Sequence, residues 1–315
     1  MRAVLVKAFG GPEVLEAAEL PDPVAGPGEA VIAVSVIDTL FVETWVRAGR
    51  GPFPIEPPYV PGGGVAGTVA SVGDGVDRSW IGHRVVAILG QRGGYAERAL
   101  APVDTLVPIP DGVGFRDAAA LVHDATTGMG LYEALAPRPG ETVLVLGATG
   151  GMGVLLVQLA RAAGARVLAG ARGDRKLRLV EQLGAEAVDV SDPDWTTSVV
   201  GGVDVVLDGV GGKLGLAAFE LTRDGGRFSA HGAPTGGFAP VDPVEAGRRG
   251  ITLRGITDLQ YSPAERVRLT GLGLAAAAEG RIRPVIGQIF SLERAADAHA
   301  AIEARTVIAK TLLLA

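Results

Sequence analysis

Apolar residues along the first hundred or so positions come in short Val/Ile runs at 2–7, 30–36, 67–72 and 84–88, parted by Pro, Gly and Asp. Such runs predict strands with turns between them. The proline-rich stretches at 21–29 and 52–64 are expected loops, because proline cannot donate within a central ladder. Near residue 116 the rhythm changes. Over 116–135 apolar positions recur at helical intervals, broken by the polar stretch at 123–128. Strand and helix patterns then alternate: strands at 142–146, 165–169, 203–207 and 226–231, helices at 153–163 and 174–183. The strands are almost wholly apolar, as expected when a parallel sheet is covered on both faces. The tail returns to a mixture: helix 263–279, strand 285–290, helix 292–304, strand 310–314.

One turn in this pattern carries chemistry. The strand at 142–146 leads into Gly147-Ala148-Thr149-Gly150-Gly151-Met152-Gly153, and a helix follows at once. The spacing Ala148-x-Gly150-x-x-Gly153 is a dinucleotide fingerprint with alanine in its first place. Small residues let a pyrophosphate approach the backbone, and the helix N-terminus offers it unpaired N–H groups. At the end of the next strand, Gly170-Ala171-Arg172-Gly173 has no acid placed for a ribose hydroxyl; Asp174 comes three residues late. Arg172 and Lys176 are placed instead for a 2′-phosphate, so NADPH is the expected cofactor. A solvated basic patch opening an exposed helix is the alternative reading of these two side chains.

Composition narrows the possibilities further. The 315 residues are long for one core and favour two domains. A net charge of −6 gives no basic face for nucleic acid or an anionic membrane surface. Cysteine is absent, which removes disulfides, thiolate metal sites and cysteine nucleophiles. The first residues carry no long apolar leader, and no run is apolar enough to span a bilayer. A soluble, cytoplasmic protein acting on a small molecule is expected.

The order of parts resembles the medium-chain dehydrogenase/reductase superfamily, in particular its zinc-free quinone oxidoreductase branch, which includes enoyl reductases. The segments at 27–34, 73–76, 82–87, 93–102, 206–212, 225–233, 282–287 and 299–314 match its landmarks, so the resemblance spans nearly the whole chain. It implies an α/β protein made of a GroES-like β-rich domain (1–120 and 257–315) and a Rossmann doubly wound parallel-sheet domain (121–256). It also implies an active site in the cleft between them, a homodimer, and hydride transfer from NADPH to a quinone, enone or enoyl substrate. By position, Gly150, Gly151 and Gly153 match the pyrophosphate turn, and Arg172 and Lys176 the 2′-phosphate site. Val210, within the 208–212 loop, and Gly232-Ala233 match loops flanking the nicotinamide. Thr126 and Thr127 match cofactor contacts of the connecting helix.

The departures bear on substrate chemistry. Zinc-dependent relatives follow Pro-Gly with His-Glu, whereas Pro61-Gly62 is followed by Gly63-Gly64, and the four histidines are far apart in sequence, so no zinc set is expected. The family's Asn-Phe-x-Asp-x-Tyr reads Leu40-Phe41-Val42-Glu43-Thr44-Trp45. An indole cannot give up its proton at neutral pH, so Trp45 is expected to shape an apolar pocket. His123 and Asp124 are the candidate acid and the group orienting it. Asp258 and Tyr261 are weaker candidates, Glu43 is expected to be structural, Arg47 a surface or loop anchor, and Lys310 an interface contact. The non-redox alternative is an NADPH-binding protein with a cyclase-type or binding role, motivated by Leu40, Trp45 and Gly64.

Overall fold

The computed structural model describes residues 1–90 and 92–315. Its chain divides into two compact units, Met1–Thr126 with Ser262–Ala315, and Thr127–Tyr261.

In chain order the first unit opens with β1 (Arg2–Val6), β2 (Leu15–Glu19), β3 (Glu29–Asp38), α1 (Phe41–Arg47), β4 (Gly64–Val72), β5 (Arg84–Ile88), β6 (Arg98–Pro102) and β7 (Leu106–Pro108). Helix α2 (Phe115–Leu135) then carries the chain across the boundary between units. The second unit contains β8 (Thr142–Leu146), α3 (Gly151–Ala162), β9 (Arg166–Ala171), α4 (Asp174–Gln182), β10 (Glu186–Asp189), β11 (Val203–Asp208), α5 (Gly212–Glu220), β12 (Thr222–Ala230), α6 (Pro243–Arg248) and β13 (Thr252–Gly255). The return to the first unit adds α7 (Pro263–Ala278), β14 (Ile286–Ser291), α8 (Ala295–Glu303) and β15 (Lys310–Leu314).

The first unit is built on a seven-stranded sheet, β14-β15-β3-β4-β5-β7 with β6 also on β3, beside an antiparallel β1-β2 ribbon. Its core is the inward set of the alternating strands, among them Val4, Ile32, Ile37, Val65, Val85 and Leu313, all 1 % exposed or less. The last strand lies inside this sheet: β15 pairs with β14 on one side and with β3 on the other.

In the second unit six parallel strands run in the order β10-β9-β8-β11-β12-β13. Every residue of β8 is buried, as the unbroken Thr-Val-Leu-Val-Leu run requires when helices cover both faces. The order reverses direction between β8 and β11, so their carboxyl ends open a crevice at that point.

Two expectations need correction. The polar stretch at 123–128 does not interrupt a helix; α2 is continuous. Thr126 keeps its hydroxyl satisfied within the helical path, donating to the carbonyl of Val122 (2.9 Å) and pairing with Thr270 (2.6 Å). The expected helix at 292–304 starts as a single 3₁₀ turn, Leu292–Arg294, before α8.

Candidate active site

The glycine turn occupies the crevice end of β8. Gly147 has φ +71°, a left-handed conformation that favours glycine, and an added Cβ would stand 3.3 Å from Val210 Cγ2. At Gly153 a Cβ would fall 2.2 Å from the Gly147 carbonyl oxygen and 2.8 Å from Ala148 Cα, so this glycine lets α3 close onto the strand. Gly150 differs. Its nearest neighbour to a Cβ is the Gly147 oxygen at 3.4 Å, and the space beside it is otherwise open. It is the N-cap of α3 with extended backbone and no side-chain cap. The first-turn N–H groups of Gly151, Met152 and Gly153 therefore have no capping side chain and carry the positive end of the helix dipole. Thr149 and Ala148 are buried behind the turn, and Met152 packs partly into the core beneath it.

The neighbouring loops are fixed by the sheet. Asp208, at the end of β11, is fully buried; its Oδ1 accepts from the N–H groups of Val210 and Gly211, both at 2.9 Å. Burial raises its pKa, and those two N–H donors pull the other way. The N–H groups of His231 and Gly232 donate to the Asp208 carbonyl (3.0 and 3.1 Å), which sets Gly232-Ala233 beside the Gly209 backbone. His231 was not singled out from the sequence. Its Nδ1 pairs with Ser229 Oγ at 3.0 Å, and burial lowers its pKa to about 4, so the ring is neutral at neutral pH.

At the far end of β9, Gly170 packs where a Cβ would meet Leu146 Cδ2 at 2.8 Å, and Ala171 is buried. Arg172 is exposed in the loop after β9, just ahead of the Gly173 N-cap, and Lys176 is half-buried on the first turn of α4; the Asp189 carboxylate feels the Arg172 charge. Thr127 begins the second unit, half-buried on α2. Thr127, the glycine turn and the loops after β9, β11 and β12 thus belong to the second unit, as do Asp258 and Tyr261, whereas Thr126, Trp45, His123 and Asp124 belong to the first.

In the first unit α2 brings His123 to the end of β3. His123 Nδ1 lies 2.8 Å from Asp38 Oδ2, while Asp124 Oδ2 lies 3.2 Å from Lys310 Nζ. The expected His123–Asp124 pairing is therefore corrected: successive residues on a helix point about 100° apart, and each finds a different partner. Lys310 Nζ stands 2.7 Å from Asp38 Oδ1, an ion pair without hydrogen-bond alignment. Burial opposes the Lys310 charge, yet the two carboxylates outweigh it and hold its pKa above the ordinary value; burial raises that of Asp124 against the pull of Lys310. The ring of His123 fills the space beside Gly64, where a Cβ would come within 2.6 Å of Cε1.

A second buried group lies behind α1. Glu43 accepts from Leu40 N and Gly63 N, both at 3.0 Å, and from the Tyr95 hydroxyl at 2.8 Å. With its hydrogen so committed, Tyr95 accepts from His299 Nε2 at 2.9 Å. Glu43 thereby ties the two loops that carry Leu40 and Gly63-Gly64. Arg47 is buried rather than at the surface, since its guanidinium pairs with Glu303 of α8. Trp45 is half-buried, edge-on to Phe41 with ring centroids 5.6 Å apart. Of the weaker candidates, Asp258 caps Gly255 N–H at 2.7 Å, and the Tyr261 hydroxyl lies against Gly130. Asp38 escaped the sequence reading; its one signal was a lone acid closing an apolar strand.

Comparison with known proteins places these features in a family. Residues 26–111 match the alcohol dehydrogenase GroES-like domain, and residues 183–313 match the family described as zinc-binding dehydrogenase. A quinone oxidoreductase of Rattus norvegicus is 34 % identical over 95 % of this chain and 93 % of its own, and a 2-haloacrylate reductase of a Burkholderia species is 30 % identical over 99 % and 98 %. Among solved structures, a quinone oxidoreductase of Thermus thermophilus, studied also with NADPH, has a TM-score of 0.86 at 33 % identity over the full length of both chains. An NAD-dependent alcohol dehydrogenase has a TM-score of 0.90 at 33 % identity, again over both full lengths. The chain belongs to the medium-chain dehydrogenase/reductase superfamily. Despite the second family's description, the sequence has no cysteine, and among the described residues no cluster of three His, Asp or Glu is arranged for a metal ion. No described helix is long and apolar enough to cross a membrane.

Proposed function

We propose that this protein is an NADPH-dependent, zinc-independent reductase of a quinone or an activated C=C bond. The observation that carries the reading is the 147–153 turn, with its uncapped helix N-terminus, open flank at Gly150 and the paired small-residue approach at Gly147 and Gly153. That cradle fits a pyrophosphate, which asks for backbone donors and no intruding Cβ. Arg172 and Lys176 supply the cationic end a 2′-phosphate needs, and Thr127, Ala148, Thr149, Met152, Gly170, Ala171, Val210, Gly232 and Ala233 complete the proposed binding set. When bound, a reduced nicotinamide supplies a hydride. The chain's own work is then to orient the dinucleotide, exclude water and move a proton. Trp45, His123 and Asp124 are the proposed substrate-side residues, with Asp124 acting through Lys310 rather than on the imidazole. The names of the relatives, quinone oxidoreductase and 2-haloacrylate reductase, support this substrate class. A homodimer in the cytoplasm is the accompanying expectation from the family.

Loss of nicotinamide absorbance against a panel of quinones and enones tests the reading, with turnover expected on at least one. Tight NADPH binding without turnover on any would favour the non-redox alternative, which the substitution of Trp45 and Leu40 for the family's Tyr and Asn motivates. Arg172→Ala is expected to weaken NADPH about tenfold or more, the worth of one charged hydrogen bond, and NADH little. Equal losses for both would remove the 2′-phosphate assignment.

A further inference from the structure

We propose that His231 is a further cofactor-binding residue, its Nε2–H donating to an oxygen on the nicotinamide nucleoside half of the dinucleotide. The inference rests on the dinucleotide reading above and is independent of any turnover.

The sheet places the ring. In the β11–β12 ladder Asp208 stands opposite Ala230, so His231 lies beside Gly209, one residue past the paired strand ends. Its N–H donates to the Asp208 carbonyl at 3.0 Å, which fixes the backbone there. Phe228 and Ala230 pack into the core on one face of β12. Ser229 and His231, two residues apart, therefore share the other face. Gly209 leaves the imidazole its room. A Cβ at Gly209 would stand 3.3 Å from His231 Nε2 and 2.9 Å from the Leu146 carbonyl oxygen. Gly209 in turn adjoins the glycine turn, since a Cβ on Gly147 would lie 3.5 Å from the Gly209 carbonyl oxygen. The end of β8, the loop at 209 and the imidazole are thus neighbours along the crevice, all within the second unit.

Which ring nitrogen carries the hydrogen follows from Ser229. That hydroxyl is fully buried, and His231 Nδ1 at 3.0 Å is its one side-chain partner among the described residues. If Nδ1 held the hydrogen, the ring would donate to Oγ and the serine hydrogen would be buried without an acceptor. The hydroxyl therefore donates to Nδ1, and the neutral ring keeps its hydrogen on Nε2. No charged group contributes to the lowered pKa of the ring; burial is its sole cause. Nε2–H has no partner among the described residues, although His231 is only 8 % exposed. A donor so nearly buried is satisfied by an acceptor oxygen of a ligand in the crevice.

Strand order tells which half of the dinucleotide arrives there. In the proposed binding set, Arg172 and Lys176 draw the 2′-phosphate, and with it the adenosine half, to the end of β9. The 147–153 turn takes the pyrophosphate at the end of β8. In the order β9-β8-β11-β12 the other half then runs over β11 to β12, where His231 lies. A neutral donor suits the uncharged acceptors of that half, the carboxamide oxygen and the ribose hydroxyls.

Ligand titrations of the whole protein test this with two variants. His231→Phe keeps a ring without the donor, and His231→Gln keeps an amide donor. Three ligands are compared: NADPH, 2′-phospho-ADP-ribose, which lacks the base, and adenosine 2′,5′-bisphosphate, which lacks the whole nicotinamide half. His231→Phe is expected to weaken NADPH about three- to tenfold, the worth of one neutral hydrogen bond, and to leave the bisphosphate unchanged. His231→Gln should recover most of that loss. A loss shared by 2′-phospho-ADP-ribose makes the ribose the acceptor, and a loss confined to NADPH makes it the carboxamide. In protein labelled with nitrogen-15 histidine, His231 is expected to show an unprotonated Nδ1 and a protonated Nε2. The Nε2 resonance should move when NADPH binds and stay in place with the bisphosphate. Equal NADPH affinity in His231→Phe and wild type overturns the inference, and so does an equal loss for NADPH and the bisphosphate, or a protonated Nδ1. A wild type that binds neither ligand removes the dinucleotide reading, and the inference falls with it. Bisphosphate binding with undiminished NADPH affinity in His231→Phe removes the inference alone.

Discussion

At Gly64 a missing side chain is what gives the neighbouring imidazole its place. A Cβ there would come within 2.6 Å of both His123 Cε1 and Val122 Cγ1. Gly64→Ala should therefore push the ring from Asp38 and destabilise the protein by about 1–3 kcal/mol, the range for overpacking a filled core. A denaturant midpoint reads the loss, and an unchanged midpoint with an unchanged His123 spectrum would show that the ring does not depend on this space. The sequence displayed Gly64 as a departure and His123 as a candidate, but it could not connect them. It also paired His123 with its neighbour Asp124, because adjacency in sequence was the only proximity available. The true partner, Asp38, comes from another strand, and only tertiary packing brings it there.

Elements were far more legible than their contacts. The strands at 142–146 and 310–314 and the fingerprint helix stood out because unbroken apolar runs and a 3.6-residue period are local properties. Short edge elements such as β7, β10 and β13 were missed, since three or four residues hold too little pattern. The continuity of α2 was hidden for another reason: threonine hydroxyls that look like helix breakers are satisfied by partners such as Thr270. Helix α3 carries its own prediction. Gly150 has φ −79° and ψ 167°, open to any residue, and room for a Cβ. Gly150→Asp should fold, and its carboxylate should cap the first turn as an ordinary N-cap does. The same carboxylate would hold the position of an incoming phosphate, so NADPH affinity is expected to fall at least about tenfold while thermal stability holds or rises. Undiminished affinity by titration would move the pyrophosphate away from this helix end.

Across the whole molecule, burial of two histidines shapes the acid limb of stability. The pKa of His231 is lowered to about 4 by burial, and that of His299 to about 3 by burial and then by Arg47. Below about pH 6.5 the unfolded chain takes up these protons while the native protein does not. Stability is therefore intact above that pH and falls as the pH drops, toward about 4 for His231 and about 3 for His299. Each contributes a slope of at most about 1.4 kcal/mol per pH unit. His299→Gln should flatten the decline between about pH 6 and 3, measured as urea midpoints against pH. Parallel curves for variant and wild type would mean that the ring is protonated in the native state. Nothing in the sequence announced this, since a histidine's burial is a property of the packed molecule alone.

The first unit is assembled from two stretches of chain separated by the entire second unit, and its β15 lies between β14 and β3. As the chain leaves the ribosome, β3 is made early and must wait for residues 310–314 before its ladder is complete. The nucleotide-type sheet, contiguous in sequence, is free to form during that interval. Synthesis thus imposes an order: the 147–153 turn is made before Lys310, and the Asp38–Lys310 pair closes after it. Asp38 acquires its ammonium partner only after the whole second unit has been made, so a chain cut between residues 261 and 310 would hold the glycine turn without that ion pair.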